Sequence, residues 1–247
     1  MRRLLIAVLA LCTLVPAYSQ DLSALADVYA DGTPILPEEE EPSMIIAQSK
    51  DGKVVFYGST HMGYGFHVMK SSDFLPARSK EFFLNLVKLG IYPADFLGIE
   101  LGVDAEHNSF KSNNTFFFTD GSDTVRQEAI ENVVPGKVTK PISAFNYLTL
   151  NFPLLVKLRF GDLQIGGGAE AGFNFAGRTW YRYNTERRTV GVRDKGARIN
   201  SFTYGFIGMV SYQGIAFFVK WYPGSSGILP AGSPDLDHMT FGIAFGL

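Results

Sequence analysis

From residue 53 onward the chain shows eight strand-like stretches, at 53–69, 79–91, 95–111, 143–160, 163–183, 199–212, 214–223 and 238–247, and apolar and polar side chains alternate most cleanly in four of them. Period-two alternation is the signature of a strand with two unlike faces. In the third stretch Leu97, Ile99, Leu101 and Val103 oppose Gly98, Glu100, Gly102 and Asp104. In the fourth, Leu148, Leu150, Phe152, Leu154, Val156 and Leu158 oppose Asn151, Lys157 and Arg159. In the fifth, Ile165, Ala169, Ala171, Phe173, Phe175, Thr179 and Tyr181 oppose Gln164, Gly166, Gly168, Glu170, Gly172, Asn174, Arg178 and Arg182. In the sixth, Phe202, Tyr204, Phe206, Val210 and Tyr212 oppose Ser201, Thr203, Gly205 and Ser211. The second stretch is apolar on both faces around 82–91, and its orientation does not follow from the pattern. The last one ends Phe241-Gly242-Ile243-Ala244-Phe245-Gly246-Leu247, large side chains against nearly bare backbone.

The connections alternate as well. They are short at 92–94, 161–162 and 213–214, and long at 70–78, 112–142, 184–198 and 224–237. Short turns at one end and long loops at the other, with an even strand number, match a membrane barrel. The expected fold is therefore an all-β, eight-stranded antiparallel up-and-down transmembrane β-barrel. Both termini and the tight turns would be periplasmic, and the long loops would lie outside the cell. A soluble barrel of lipocalin type is the inverse design, with its apolar face inside. The polar face decides between them, because it mixes many glycines with charges. Glycine weakens a solvated strand, whereas a narrow eight-stranded lumen needs small residues beside large ones.

That lumen would hold Glu100, Asp104, Glu106 and Glu170 against Lys157, Arg159, Arg178, Arg182 and Lys220. Buried charges need partners, so an inter-strand ion-pair network is expected. Trp221, Tyr222 and Tyr181 at one end, with Tyr92 and Tyr212 at the other, are expected in the interfacial aromatic girdles. Trp180 falls on the lumen side by this register.

The first residues change the picture further. Arg2 and Arg3, the apolar run Leu4–Leu11 and Ala17-Tyr18-Ser19 read as a secretory signal peptide of residues 1–19, cut before Gln20 or Asp21. Cys12, the sole cysteine, follows Leu11, a poor fit to a lipoprotein acceptor site. Loss of residues 1–19 moves the net charge from −2 to −4, which is no nucleic-acid footprint. Residues 20–52, with Pro34, Pro37, Glu38–Glu41 and Pro42, read as a flexible acidic periplasmic leader and a possible docking segment for a periplasmic protein (21–52). Aromatics make up 14% of the chain, with 21 Phe and 11 Tyr, alongside 26 Gly. After residue 20 no apolar run approaches a membrane-spanning helix.

Tyr147–Gly161 (YLTLNFPLLVKLRFG), Gly166–Gly172, Tyr204–Gly208 and Phe241–Leu247 together resemble the outer-membrane β-barrel proteins of Bacteroidetes, the PorT-like group. The resemblance covers about residues 53–247 and implies an eight-stranded outer-membrane barrel. Some members of that group serve a protein-secretion system. Leu247 stands where such proteins usually end in an aromatic residue. Asp123-Thr124-Val125 resembles the short O-glycosylation motif of these bacteria.

Candidate chemistry is sparse. His61 and His67 share a face but lie about 20 Å apart at strand rise, too far for one metal or one substrate atom. His107 beside Glu106 and Ser109 is a base–nucleophile candidate by spacing alone. Asp235-Leu236-Asp237-His238 offers two carboxylates to a cation, but too few oxygens for calcium. Gly166-Gly167-Gly168 lacks the helix and Lys-Ser/Thr of a phosphate loop. No catalytic, cofactor or metal residue is therefore assigned, and no cofactor is expected. In loop 184–198, Arg187, Arg188, Arg193, Lys195 and Arg198 outnumber Glu186 and Asp194, and lipopolysaccharide phosphates are natural counter-ions. The expectation is a monomeric, non-enzymatic outer-membrane barrel with a filled, charged lumen, acting in surface binding, envelope structure or a secretion assembly. The alternative is an outer-membrane enzyme that modifies lipid A.

Overall fold

The computed structural model describes residues 44–49, 52–58, 61–69, 78–120, 123–134, 138–185, 188–223, 227–230, 233 and 236–246. They belong to the compact unit Glu39–Leu247; the other unit, Met1–Glu38, lies outside them, as do the expected signal peptide and the run Glu38–Glu41.

Thirteen strands and one short helix are described. β1 is Met44–Gln48, β2 Val54–Gly58, β3 Met62–Met69, β4 Lys80–Ala94 and β5 Leu97–Ser112. A hairpin β6 (Thr115–Thr119) and β7 (Val125–Ala129) and the single turn α1 (Ile130–Val133) follow. Then come β8 (Thr139–Phe160), β9 (Leu163–Asn184), β10 (Thr189–Lys195), β11 (Phe202–Tyr212), β12 (Ile215–Tyr222) and β13 (His238–Phe245). Eight of them close a ring in the order β3-β4-β5-β8-β9-β11-β12-β13, with β13 pairing back to β3, all antiparallel. Closure leaves no open edge in the ring. The row of paired residues that starts at Phe245 reaches β9 at Leu163 in one direction and at Phe173 in the other. Such a ten-residue stagger in eight strands corresponds to a tilt of about 40°.

The two faces carry opposite chemistry. Phe66, Leu84, Leu101, Val156, Phe173, Phe206, Phe217 and Phe241, one from each strand, point outward and are 38–64% exposed. Glu81, Glu100, Lys157 and Lys220 point inward at 2% or less. A water-soluble barrel would reverse this. A continuous apolar belt round a charged interior is the arrangement a bilayer requires, so the chain is a transmembrane β-barrel.

Tight turns at Asp95-Phe96, Gly161-Asp162 and Gln213-Gly214 join strands at one end. Gln213 and Gly214 both have positive φ, 49° and 75°, the geometry that matches the twist of paired strands. The other end carries the long connections. β8 and β9 run 22 residues each, twice the 9–11 a bilayer needs, so their upper halves and β10, paired to β9, stand clear of the belt.

Register shifts interrupt the ring at four places, and two of them bear on the expected faces. In β4 the pairing with β5 slips between Asn85 and Val87. Phe82, Leu84 and Leu86 therefore face out below residue 86, and Leu89 and Ile91 above it, which is why that stretch looks apolar on both sides. In β9 the slip lies opposite Asn146/Leu148, where Ala176 has φ 57°. The expected faces above Ala176 are reversed as a result. Thr179 is buried, Arg178 and Arg182 are exposed on the outside, and Trp180 shares their face. An alanine Cβ at positive φ is strained, by about 1–2 kcal/mol, against a smaller entropic cost for glycine. Ala176→Gly is thus expected to raise stability by up to about 1 kcal/mol, readable as a shifted urea midpoint of the folded barrel.

β1 is a departure as well. Met44–Gln48 lies within the stretch expected to be a flexible leader, yet it pairs with β2, continuing the line of β13 past its end.

Candidate functional site

The interior is filled in layers. Nearest the tight turns, Glu100 on β5 meets Lys157 on β8 at 2.9 Å, Lys88 on β4 at 3.6 Å and Arg159 at 3.7 Å. Tyr92 donates to Glu100 at 3.0 Å, and the Arg159 guanidinium lies over its ring at 4.3 Å. Above this layer Phe83, Leu155, Met209, Ala216, Phe218 and Ala244 form an apolar zone. A cavity of about 40 Å³ there is lined also by His61, Asn85, Asp104 and Lys220. That is room for a few waters and no more.

Next comes Lys220 on β12. Its ammonium reaches Glu81 on β4 at 2.7 Å, Glu106 on β5, and Glu170 on β9 at 3.6 Å. Asn151 donates to Glu106 at 3.0 Å and Asn85 to Asp104 at 2.5 Å. The turn-end layer is thus rich in cations and the Lys220 layer rich in carboxylates. The expected network exists, with Glu81 and Lys88 as members the pattern in β4 had hidden, and without Arg178 and Arg182.

An aromatic stack closes the long-loop end. His67 lies flat on Phe110 at 4.5 Å and meets His238 edge-on at 4.8 Å. Phe145 and Tyr147 stack on Phe110, and Tyr222 on His238. Over them Phe117, Val125, Ala197, Ile228, Leu229 and Leu236 make a buried apolar cap drawn from the long connections.

The histidine candidates now have places. His61, His67 and His238 are lumen side chains, buried to 7% exposure or less. His67 and His238 sit in one stack, but Nδ1 of His67 bonds Thr240 at 2.9 Å and Nδ1 of His238 donates to the Leu236 carbonyl at 2.8 Å. His107 is exposed on the outer face of β5, and no hydrogen bond joins it to Ser109. Asp235 lies outside the described residues. Among the described residues no three His, Cys, Asp or Glu side chains converge as metal ligands.

The girdle assignments are corrected in part. Trp221 and Tyr212 are exposed on the outer face as expected. Tyr222 follows Trp221 directly, so it faces inward, where its ring stacks on His238 at 4.8 Å. Tyr92 is turned inward by the β4 bulge and Tyr181 by the β9 bulge, stacking on Phe116 at 4.7 Å.

Of the five loop cations expected to meet phosphate, Arg193 and Lys195 lie on β10, opposite Trp180 and Arg178. Arg188 is exposed at the hairpin end, Arg198 follows β10 with its backbone N–H donating to Asp123, and Arg187 lies outside the described residues. Arg193 and Lys195 thus join Arg178 and Arg182 in one patch round Trp180, the most concentrated charge on the exterior of this sheet.

No protein-family model and no curated protein matches the chain. Among solved structures it is similar to Ail, the attachment invasion locus protein of Yersinia pestis, determined in complex with the heparin analogue sucrose octasulfate. Identity is 10%, over 76% of this chain and 95% of that one, with a TM-score of 0.33.

Proposed function

We propose that this chain is a non-enzymatic outer-membrane protein of the PorT-like kind, a plugged barrel whose work is done on its outer surface. The tight turns and both termini face the periplasm; the long loops and the projecting β8–β9–β10 sheet face outward. The observation that carries the reading is the apolar belt on all eight strands around an interior of paired charges. Barrels with such belts cross outer membranes, whose proteins carry short periplasmic turns and long external loops. A secretory signal over residues 1–19 would deliver it there.

The filled lumen bears on what the protein does. Among the described residues, three layers of side chains and an apolar cap fill the lumen, which supports a role at the surface over transport through the barrel. Two measurements test this. Cell fractionation should recover the chain with outer membranes in detergent-extractable form, and recovery in the soluble periplasm would overturn the reading. In planar bilayers the purified protein should give no steady ion conductance. Sustained channel currents would contradict the plugged lumen.

A further inference from the structure

We propose that the outward face of the β8–β9–β10 sheet, just beyond the apolar belt, binds the phosphate groups of a glycolipid in the outer leaflet. The proposal rests on the outer-membrane reading above and names the partner of that surface.

The site is created by the bulge at Ala176. Below it β9 presents Phe173 and Phe175 outward, and their exposure of 39% and 43% places them in the belt. Above it the reversed alternation puts Arg178, Trp180 and Arg182 on that same exterior. β10 adds Lys195 directly opposite Arg178 and Arg193 directly opposite Trp180. Paired residues share a face at about 5 Å, and successive ones along a strand at about 7 Å. Four cations therefore surround one indole, beginning about 10 Å along the strand from the last belt phenylalanine and ending about 20 Å from it.

Among the described residues none of the four forms an ion pair. Asp194, between Arg193 and Lys195, points to the other face, opposite buried Thr179, and accepts from the Thr119 N–H at 3.4 Å. Like charges directly opposite one another, as Arg178 and Lys195 are, destabilise a strand pair. An external anion would relieve that repulsion. Arginine matches phosphate with paired donors, and an indole beside it favours the boundary between apolar chains and polar headgroups. Continuity with the belt selects a lipid-borne phosphate over a soluble one.

The test uses the full chain folded in detergent micelles, with binding read by native mass spectrometry. The probes are diphosphorylated lipid A, the same lipid with its phosphates removed, and phosphatidylglycerol. The expected result is lipid A binding that weakens about tenfold or more on dephosphorylation, and equally in the variant R178Q/R182Q/R193Q/K195Q. R188Q/R198Q, outside the patch, keeps wild-type binding. Equal binding of the dephosphorylated lipid or of phosphatidylglycerol overturns the proposal. So does undiminished binding by the folded fourfold variant. Should that variant not fold, the comparison of the two lipid A forms on the wild-type chain decides alone. A wild-type chain that will not fold in detergent sinks the outer-membrane reading itself, a different outcome from a folded barrel indifferent to phosphate.

Discussion

Replacing Lys220 by methionine is expected to destabilise the folded barrel by about 3–5 kcal/mol, the usual consequence of stripping the partner from buried charge. Lys220 is 1% exposed and is the shared cation of Glu81, Glu106 and Glu170, which come from three other strands. The other lumen cations, Lys88, Lys157 and Arg159, are engaged with Glu100 in a separate layer. Methionine matches the stem in length and keeps the contact with Phe83 and Phe218, over whose rings the ammonium lies. What is lost is the charge, and three buried carboxylates are left without their shared cation. The variant K220M/E81Q/E106Q/E170Q, which removes both signs together, should recover most of the loss, since breaking one partner costs more than replacing the whole set. Urea titration in lipid vesicles, read by the mobility shift between folded and unfolded barrel on gels, measures both. If K220M unfolds at the wild-type midpoint, the ion-pair layer contributes nothing to stability.

Gly168→Ala should have an effect nearly as large, at about 3 kcal/mol, the upper end of ordinary overpacking. A Cβ at Gly168 would lie 1.9 Å from the Leu154 carbonyl oxygen and 3.0 Å from the Leu155 Cα, both backbone atoms of β8. A flexible side chain can move aside; a paired strand can do so only by breaking its ladder. Gly208→Ala is the control, because nothing lies within 4 Å of its Cβ position. The same titration should therefore separate the two alanines, with Gly208→Ala close to wild type. Equal midpoints would mean that β8 and β9 do not approach as closely as described.

Much of this architecture is legible in the sequence because period-two alternation survives wherever strands are regular. β5, β8 and β11 read correctly residue by residue, and seven of the eight ring strands fall within a few residues of their expected bounds, while the first expected strand, 53–69, is divided into β2 and β3. Two bulges account for most of what was not legible. A bulge adds one residue and exchanges the faces beyond it, so the inward places of Lys88 and Tyr92 in β4 could not be read. Arg178, Trp180 and Arg182 in β9 were read on the wrong side for the same reason. Ala176-Gly177 carries a weak mark of such a bulge, a small residue and a glycine before a reversal of polarity. The cap is illegible for another reason. Phe117, Ile228, Leu229 and Leu236 come from long connections, where burial follows from tertiary contact and leaves no periodic trace. The basic patch round Trp180 was half visible, since the basic excess of 184–198 names Arg193 and Lys195. Only the register of β10 on β9 shows that their companions are Arg178 and Arg182 rather than Arg188 and Arg198.

The central claim is that apolar side chains face lipid while charged ones fill the interior. Spin labels attached singly to cysteines at successive positions 154–158 of β8, in protein reconstituted into bilayers and lacking Cys12, measure this directly through collision with oxygen and with a water-soluble nickel complex. Labels at Leu154, Val156 and Leu158 should be accessible to oxygen and shielded from nickel, and those at Leu155 and Lys157 shielded from both. Nickel accessibility at 154, 156 and 158, or the absence of a two-residue period, would contradict the account.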